Sequence, residues 1–291
     1  MNCVHVAGLK LVFLGTGGAT ITPRPTCTCR VCSMARARGI PYSRLGPAVF
    51  VQEMNALFDT PEDIAVELDR WRVDGVDHVF YSHWHPDHTG GIRVFEQLNM
   101  DISFKNQSWA RKTTIVHLPP KVEEDFRNRL GLMEHLNHLA KMGLVTVQRM
   151  DESQIIEIKG IQIQCRQMAN PSLYAYLLEE KGKRVLLALD DTFQWIPPED
   201  LRGVDLAVLE TGWFERSPDG TLLIAENNPL RKGESSFEQT LERVRIIGAK
   251  RTILTHIEEI FQHTYDDLRE VEAEHRDMGI SFAYDGLTVE I

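Results

Sequence analysis

No apolar run in this chain approaches the ~20 residues that a membrane-spanning helix needs, so no helical membrane anchor is expected. The opening stretch, MNCVHVAGLKLVFLG, has too short an apolar core and no small-residue cleavage site, so no secretory signal is expected there. Basic residues are in deficit. Lys and Arg number 32 against 42 Asp and Glu, a formal charge of −10. That disfavours nucleic acid as the main partner, because such binders draw most of their affinity from basic surface. Arg30, Arg36, Arg38 and Arg44 nevertheless fall in one region and leave room for a local basic patch. Cysteine is scarce, and the five present leave one unpaired in any full disulfide scheme. Internal repeats, low-complexity tracts and evident linkers are also lacking. A cytoplasmic globular protein is the expectation.

What is present fits that class. Hydrophobic content of 43% and charged content of 25% are ordinary. A chain of 291 residues can bury a large core without staples. Short β-branched runs alternate with amphipathic segments. Strands are expected at Leu11–Leu14, Ala48–Gln52, Ala56–Asp59, Asp77–Ser82, Thr114–His117, Val145–Arg149, Ile155–Ile158, Ile161–Gln167, Leu173–Glu179, Arg184–Leu189, Asp205–Glu210, Arg251–Thr255, Ile280–Ala283 and Leu287–Glu290. Helices are expected at Pro61–Trp71, capped by Thr60, at Pro120–Leu130 and Leu132–Met142, from a Ser235–Glu238 capping box to Ile247, and at Tyr265–Met278. This order suggests an α/β fold of two sheets packed face to face with helices outside.

The densest chemistry is HWHPDH, residues 83–88, followed by Gly90-Gly91. His83 and His85 are two apart on extended chain and share a face. Pro86 keeps His85 extended. The following turn sends Asp87 and His88 elsewhere, so one pair can hold one metal and the next pair a neighbour. Two later strand ends supply what such a pair would need. Asp190-Asp191-Thr192 follows VLLAL, and His256 follows RTILT. A carboxylate between two cations can give one oxygen to each. The crowded CTCRVC, with Cys27, Cys29 and Cys32, reads as a soft-metal site rather than disulfides.

HxHxDH, a later aspartate after a strand and a late histidine after another resemble the pattern of the metallo-β-lactamase superfamily. LGTGGA at 14–19, CTCRVCSMARARG at 27–39, RTILTHI at 251–257 and AYDGLTVEI at 283–291 are similar to its branch of phosphoribosyl cyclic phosphodiesterases and quinone-biosynthesis B proteins. The resemblance implies an αββα four-layer sandwich with two mixed β-sheets and helices outside. It implies one such domain over 1–291 with a cysteine-bearing loop at 15–46. It assigns His83 and His85 to a first divalent metal, and Asp87, His88 and His256 to a second. Asp191 is the bridge, as the aspartate preceding threonine, and Asp59 orients a ligand histidine. Zinc or manganese is implied, with iron also accommodated, and a structural zinc on the cysteines.

The sequence departs from that pattern in three places. Where the family has a third histidine for the first metal, this chain has Ala169-Asn170, and Asn170 offers a weak oxygen ligand. Glu234 stands where the phosphodiesterase has a histidine that assists protonation of the leaving group. The fourth ligand of the cysteine site falls on Glu259, with His263 as the alternative. The implied activity is hydrolysis of a small cyclic phosphate or nucleotide-like diester by a metal-bound hydroxide, with Asp87 and Glu234 catalytic. A homodimer is compatible with this reading. Rival expectations are hydrolysis of an ester, lactone or thioester, and a single-metal redox or cofactor-maturation role.

Overall fold

The computed structural model describes residues 8–103, 105 and 108–291. Cys3, His5 and most of the opening stretch lie outside the described residues. Fourteen strands form two mixed sheets of seven among the described residues. The first runs in the order β14 (Thr288–Glu290), β1 (Lys10–Gly15), β2 (Ala48–Val51), β3 (Ala56–Phe58), β4 (His78–Phe80), β5 (Thr114–Leu118), β6 (Val145–Arg149). The second runs β13 (Ile280–Phe282), β12 (Arg251–Thr255), β11 (Leu206–Glu210), β10 (Lys183–Ala188), β9 (Tyr174–Glu180), β8 (Ile161–Gln167), β7 (Ile156–Ile158). In each sheet the strands nearest one edge pair antiparallel and the others pair parallel.

The sheets pack on one another through a continuous apolar core. Phe13, Leu57, Phe80 and Val116 of the first sheet share it with Ile163, Tyr176, Leu187 and Val208 of the second. Tyr176 crosses the interface: its ring meets Phe58 edge-on at 5.3 Å, and its hydroxyl donates to the Tyr81 carbonyl at 2.7 Å. Strands with both faces covered are apolar throughout. LAVLE of β11 is buried at all five positions, whereas β8 alternates toward solvent. A second core separates the other face of the second sheet from α7 (Phe237–Ile247) and α8 (Tyr265–Glu274). On the first sheet, α2 (Ile64–Arg70), α5 (Pro120–Asn128) and α6 (Leu132–Lys141) form the opposite outer layer. This is the αββα sandwich expected.

The topology places the chemistry. Strands β3 and β4 are parallel neighbours, and so are β10, β11 and β12. Their C-terminal ends therefore emerge together at one rim of the sandwich, where α/β folds collect polar side chains.

Several local expectations are corrected. The helix expected from Pro61 begins at Ile64, because a turn with Ile64 N–H bonded to the Pro61 carbonyl comes first. The capping box belongs to Ser236 and Gln239, one residue later than expected. Ser235 is buried instead, its hydroxyl 3.1 Å from that of Thr192. Three helices were not anticipated: α1 (Arg30–Arg38) in the cysteine segment, the single turn α3 (Pro86–Thr89), and α4 (Val94–Asn99). The arginine cluster forms no basic patch. Arg44 is buried and donates to the Ala283 carbonyl, while Arg30 and Arg38 pair with Asp267 and Asp266 of α8. No described helix is long and apolar enough to cross a membrane.

Candidate metal centre

The chain leaves β3 at Asp59 in the left-handed region, φ 64°, and leaves β12 at His256 with φ 55°. Such backbone is costly for a residue with a Cβ and persists where surrounding contacts enforce it. His256 lines the cavity, and Asp59 lies buried behind it against His88. The Pro86–Thr89 turn brings Asp87 and His88 beside them, and its Gly-Gly follow-on is required by packing. A Cβ on Gly91 would come within 2.1 Å of the Pro61 carbonyl oxygen.

Asp59 is fully buried and serves two histidines at once. His88 Nδ1 donates to its Oδ2 at 2.8 Å. The Ser82 hydroxyl donates to the same oxygen at 2.7 Å, and Ser82 N–H to Oδ1 at 2.7 Å. The Ser82 oxygen in turn lies 2.9 Å from His83 Nδ1, which donates to it. One carboxylate thus turns the Nε2 atoms of both rings toward the cavity as acceptors. Those two Nε2 atoms are buried and have no hydrogen-bond partner.

Carboxylates face them. Asp190 Oδ2 lies 3.0 Å from His83 Nε2 and 3.6 Å from His88 Nε2, while Oδ1 lies 3.5 Å from His256 Nε2. Asp87 Oδ2 is 3.4 Å from both His88 Nε2 and His256 Nε2. Two compact ligand groups result, His83–His88–Asp190 and Asp87–His88–His256, sharing His88. Burial alone would lift both acids, but the adjacent rings outweigh it and hold Asp87 and Asp190 well below the usual carboxylate range. The same pairing, against burial, raises His256 to about 10 and His88 well above its ordinary value. Buried donors of this kind, oriented from behind and converging on a common space, fit a pair of divalent cations.

Of the two consecutive aspartates, Asp190 is the one that meets the rings. Asp190 reaches all three rings. Asp191 instead accepts from Phe193 N–H at 2.9 Å, and burial and its neighbour Asp190 push it up to about 6. β10 ends at Ala188 and the chain bends at Asp190, which turns that side chain toward the rings while Asp191 lines the cavity beside it. His85 lines the cavity with its ring edge against His83, 4.5 Å between centroids, but stands outside the two compact groups. Asn170 also lines the cavity; it is exposed, and its Oδ1 accepts from Ser172 N–H.

The cavity, of about 220 Å³, is further walled by Glu210, Glu234, Glu258, Trp213 and Phe261. Partial burial and then Asp190 and Asp191 raise Glu234 to about 7. Glu210, at the end of β11, is pushed to about 8 by burial and the same two acids. Sequence reasoning missed Glu210, Glu258 and Ser82. A signal existed for Glu210, the lone acid closing an apolar strand between the strands that carry Asp190 and His256. Trp84 packs under the Arg129 guanidinium, 4.3 Å away. Trp213 and Phe214, in the segment after β11, are buried in the second core.

A second cluster lies apart. Cys27, Cys29, Cys32 and Glu259 bring ligand atoms within 4.8 Å of one another. Glu259 Oε2 is 3.4 Å from Cys29 Sγ and 3.7 Å from Cys32 Sγ, and its Oε1 pairs with Arg24. His263 is excluded from the group: Nδ1 donates to the Phe261 carbonyl, and the ring stacks on Phe214 at 4.0 Å.

Known proteins resemble this chain in the same terms. Residues 54–257 match the family model of the beta-lactamase superfamily domain. Ribonuclease Z of Halorubrum lacusprofundi is 28% identical over 130 residues, 44% of this chain. That match spans only 34% of the relative's own length. Among solved structures, a diphosphatase from the PhnP family superposes with TM-score 0.70 at 24% identity, covering 97% of this chain and 98% of that one. Zn(2+)-bound PqqB from Methylobacterium extorquens gives 0.68 at 17% identity, covering 97% and 100%. The chain belongs to the beta-lactamase superfamily, in its metallo-β-lactamase fold.

Proposed function

We propose that this member of the superfamily is a metal-dependent hydrolase of small phosphodiesters. The observation that carries the reading is the convergence of His83, Asp87, His88, Asp190 and His256 on one cavity, with two buried imidazole nitrogens unpartnered. His83 and Asp190, with His85 beside them, would hold one divalent ion; Asp87, His88 and His256 would hold the other, with Asp190 between. When bound, such ions supply Lewis acidity toward phosphoryl oxygens and lower the pKa of water.

The chain's own residues divide the remaining work. Asp59 fixes the ring orientations through Ser82 and His88. Asp87, held ionised, is placed to orient the attacking water. Water oxygen forms the new bond to phosphorus, the bond to the leaving oxygen breaks, and that oxygen takes a proton. Glu234, raised to about 7 on the cavity wall, is suited to donate it. The cavity volume favours a small ester over a polynucleotide, as does the pairing of Arg30 and Arg38 with acids of α8. The cysteine group with Glu259 would hold a structural zinc.

The test combines elemental analysis of gently purified protein with turnover of bis-p-nitrophenyl phosphate before and after chelation. Metal at the histidine site and restorable turnover are expected. His85→Ala should lose most turnover, on the order of 10²-fold or more, with the fold intact by circular dichroism. Full turnover in a variant verified to hold its metal would overturn the role given to the site. Turnover confined to carboxylic esters would replace phosphorus with acyl carbon as the target.

A further inference from the structure

Residues 233–235 form part of the cavity wall, with Glu234 at their centre. The Glu234 carboxyl feels neighbouring charges but meets no hydrogen-bond donor among the described residues. A long side chain left free in this way has many rotamers. What decides where its carboxyl can reach is the backbone that carries it.

That backbone is held on both sides of the residue. Glu234 N–H donates to the Leu230 carbonyl at 3.0 Å, which ties it to the turn Pro229–Lys232. The Trp213 indole Nε1–H donates to the Glu234 carbonyl at 3.0 Å. Trp213 N–H donates to the Ser235 carbonyl at 2.9 Å, and Phe237 N–H to the Trp213 carbonyl at 2.8 Å. One tryptophan thus meets the backbone of Glu234, Ser235 and Phe237. The Ser235 hydroxyl, facing that of Thr192, joins the same segment to the turn that carries Asp190.

Trp213 is itself fixed. It is buried and lines the cavity, with the Arg231 guanidinium 4.9 Å over its ring. Arg231 donates in turn to the Ile224 carbonyl at 2.7 Å. Gly212 precedes it with φ 73°, and a Cβ there would come within 2.8 Å of the Ser235 carbonyl oxygen. Glycine at 212 therefore lets the tryptophan lie close against the segment that bears the acid.

Resting on the phosphodiesterase reading and on Glu234 as its proton donor, we infer that Trp213 is a positioning residue. Its indole N–H holds the Glu234 peptide so that the carboxyl stays within reach of the leaving oxygen. Proton donation counts for more as the leaving oxygen becomes more basic. A residue that acts through Glu234 must show itself in the leaving-group dependence. A residue that only supports the fold lowers all esters alike.

The test uses the metal-loaded full chain and methyl phosphodiesters whose leaving group is 4-nitrophenyl, 4-chlorophenyl or phenyl. Trp213→Phe keeps the backbone bonds and removes the indole donor. It should lower kcat for the phenyl ester about tenfold more than for the 4-nitrophenyl ester, and Glu234→Gln should show a selective loss at least as large. Adding Trp213→Phe to Glu234→Gln should deepen that selectivity by no more than about twofold. Amide hydrogen exchange, a readout independent of turnover, should quicken at residues 234–237 in Trp213→Phe. Replacement of Trp213 by β-(3-benzothienyl)alanine, which has the shape of tryptophan without the N–H, carries the same test if Trp213→Phe does not fold. A uniform loss across the series, no loss, or a further selective loss in the double variant overturns the inference and leaves the phosphodiesterase reading standing. Absence of a selective loss in Glu234→Gln overturns the proton-donor role and the inference with it. Failure of the unaltered protein, shown to hold its metals, to cleave any of the esters overturns the phosphodiesterase reading as well.

Discussion

The histidine cluster draws on the ends of three strands in both sheets, His83, Asp87 and His88 beyond β4, Asp190 beyond β10 and His256 beyond β12, whereas the cysteine cluster takes three of its four members from one loop and helix start and the fourth from beyond β12. The first is braced from behind: Asp59 is buried and bonded to Ser82 and His88 before any ion is considered. The second is held by Glu259, which arrives from beyond β12 and is shared with Arg24, and by the Arg24 and Cys32 N–H groups, which donate to the Cys32 and Cys29 sulfurs. Cys27 and Cys29 are half-buried and Cys32 is buried, its thiol pushed up to about 12 by that burial. A site spread over strand ends is preorganised by the whole sandwich. A site on one loop depends on its ion to hold the loop in place.

That contrast is open to direct attack. The largest effect is expected inside the histidine cluster. Asp190→Asn should reduce kcat for the phosphodiester by roughly 10³-fold, because the group reaching three rings is lost, while Asp191→Asn should stay within about tenfold. The reverse ranking would restore Asp191 as the bridge. Next comes the brace. Asp59→Asn preserves the left-handed backbone, which asparagine tolerates, but cannot accept from both Ser82 and His88 as the carboxylate does. Metal affinity at the histidine site should fall about 10- to 100-fold, with the cysteine site unaffected in the same titration. If both sites weaken together, Asp59 supports the fold rather than the rings.

The complementary change is Glu259→Ala. It should lower the zinc content by one ion per chain and leave activity at the histidine site within about fivefold, as measured by elemental analysis and turnover. Glu259→His should keep that zinc, and His263→Ala should change nothing. Loss of zinc in His263→Ala would return the fourth ligand to the histidine.

The smallest effect concerns a buried acid outside both clusters. Glu67 is fully buried on α2, and neither carboxyl oxygen has a hydrogen-bond partner. Burial, then Asp285 and Asp63, raise its pKa well above 4.5. The folded state therefore binds this proton more tightly than the unfolded state, and stability is lost as pH rises through the unfolded value toward the folded one. Glu67→Met should raise the melting temperature at pH 8, a gain on the order of 1 kcal/mol, and the gain should fade as pH falls below about 4.5. A pH-independent gain would assign the effect to packing alone.

Much of this was legible in the chain. Periodicity located most strands within a residue or two, including β6, β8 and β12 at their observed limits. HWHPDH announced a ligand cluster because proline, spacing and residue type agreed. Other features were ambiguous at the resolution of one residue. Ser235 and Ser236 both fit a capping box, and Asp190 and Asp191 both end the same strand. The short helices α3 and α4 carry too few residues for a helical period to show.

The amino-acid order by itself determined which segments would be buried strands and which residue types would follow them, because alternation and apolar runs are local properties. It did not determine which of two neighbouring acids would face the rings, that Glu259 rather than His263 would meet the cysteine sulfurs, or that Glu210 and Glu258 would share the cavity wall. Those outcomes depend on how parallel strand ends line up across two packed sheets. That alignment is set by contacts between residues up to two hundred positions apart, and only the folded chain contains it.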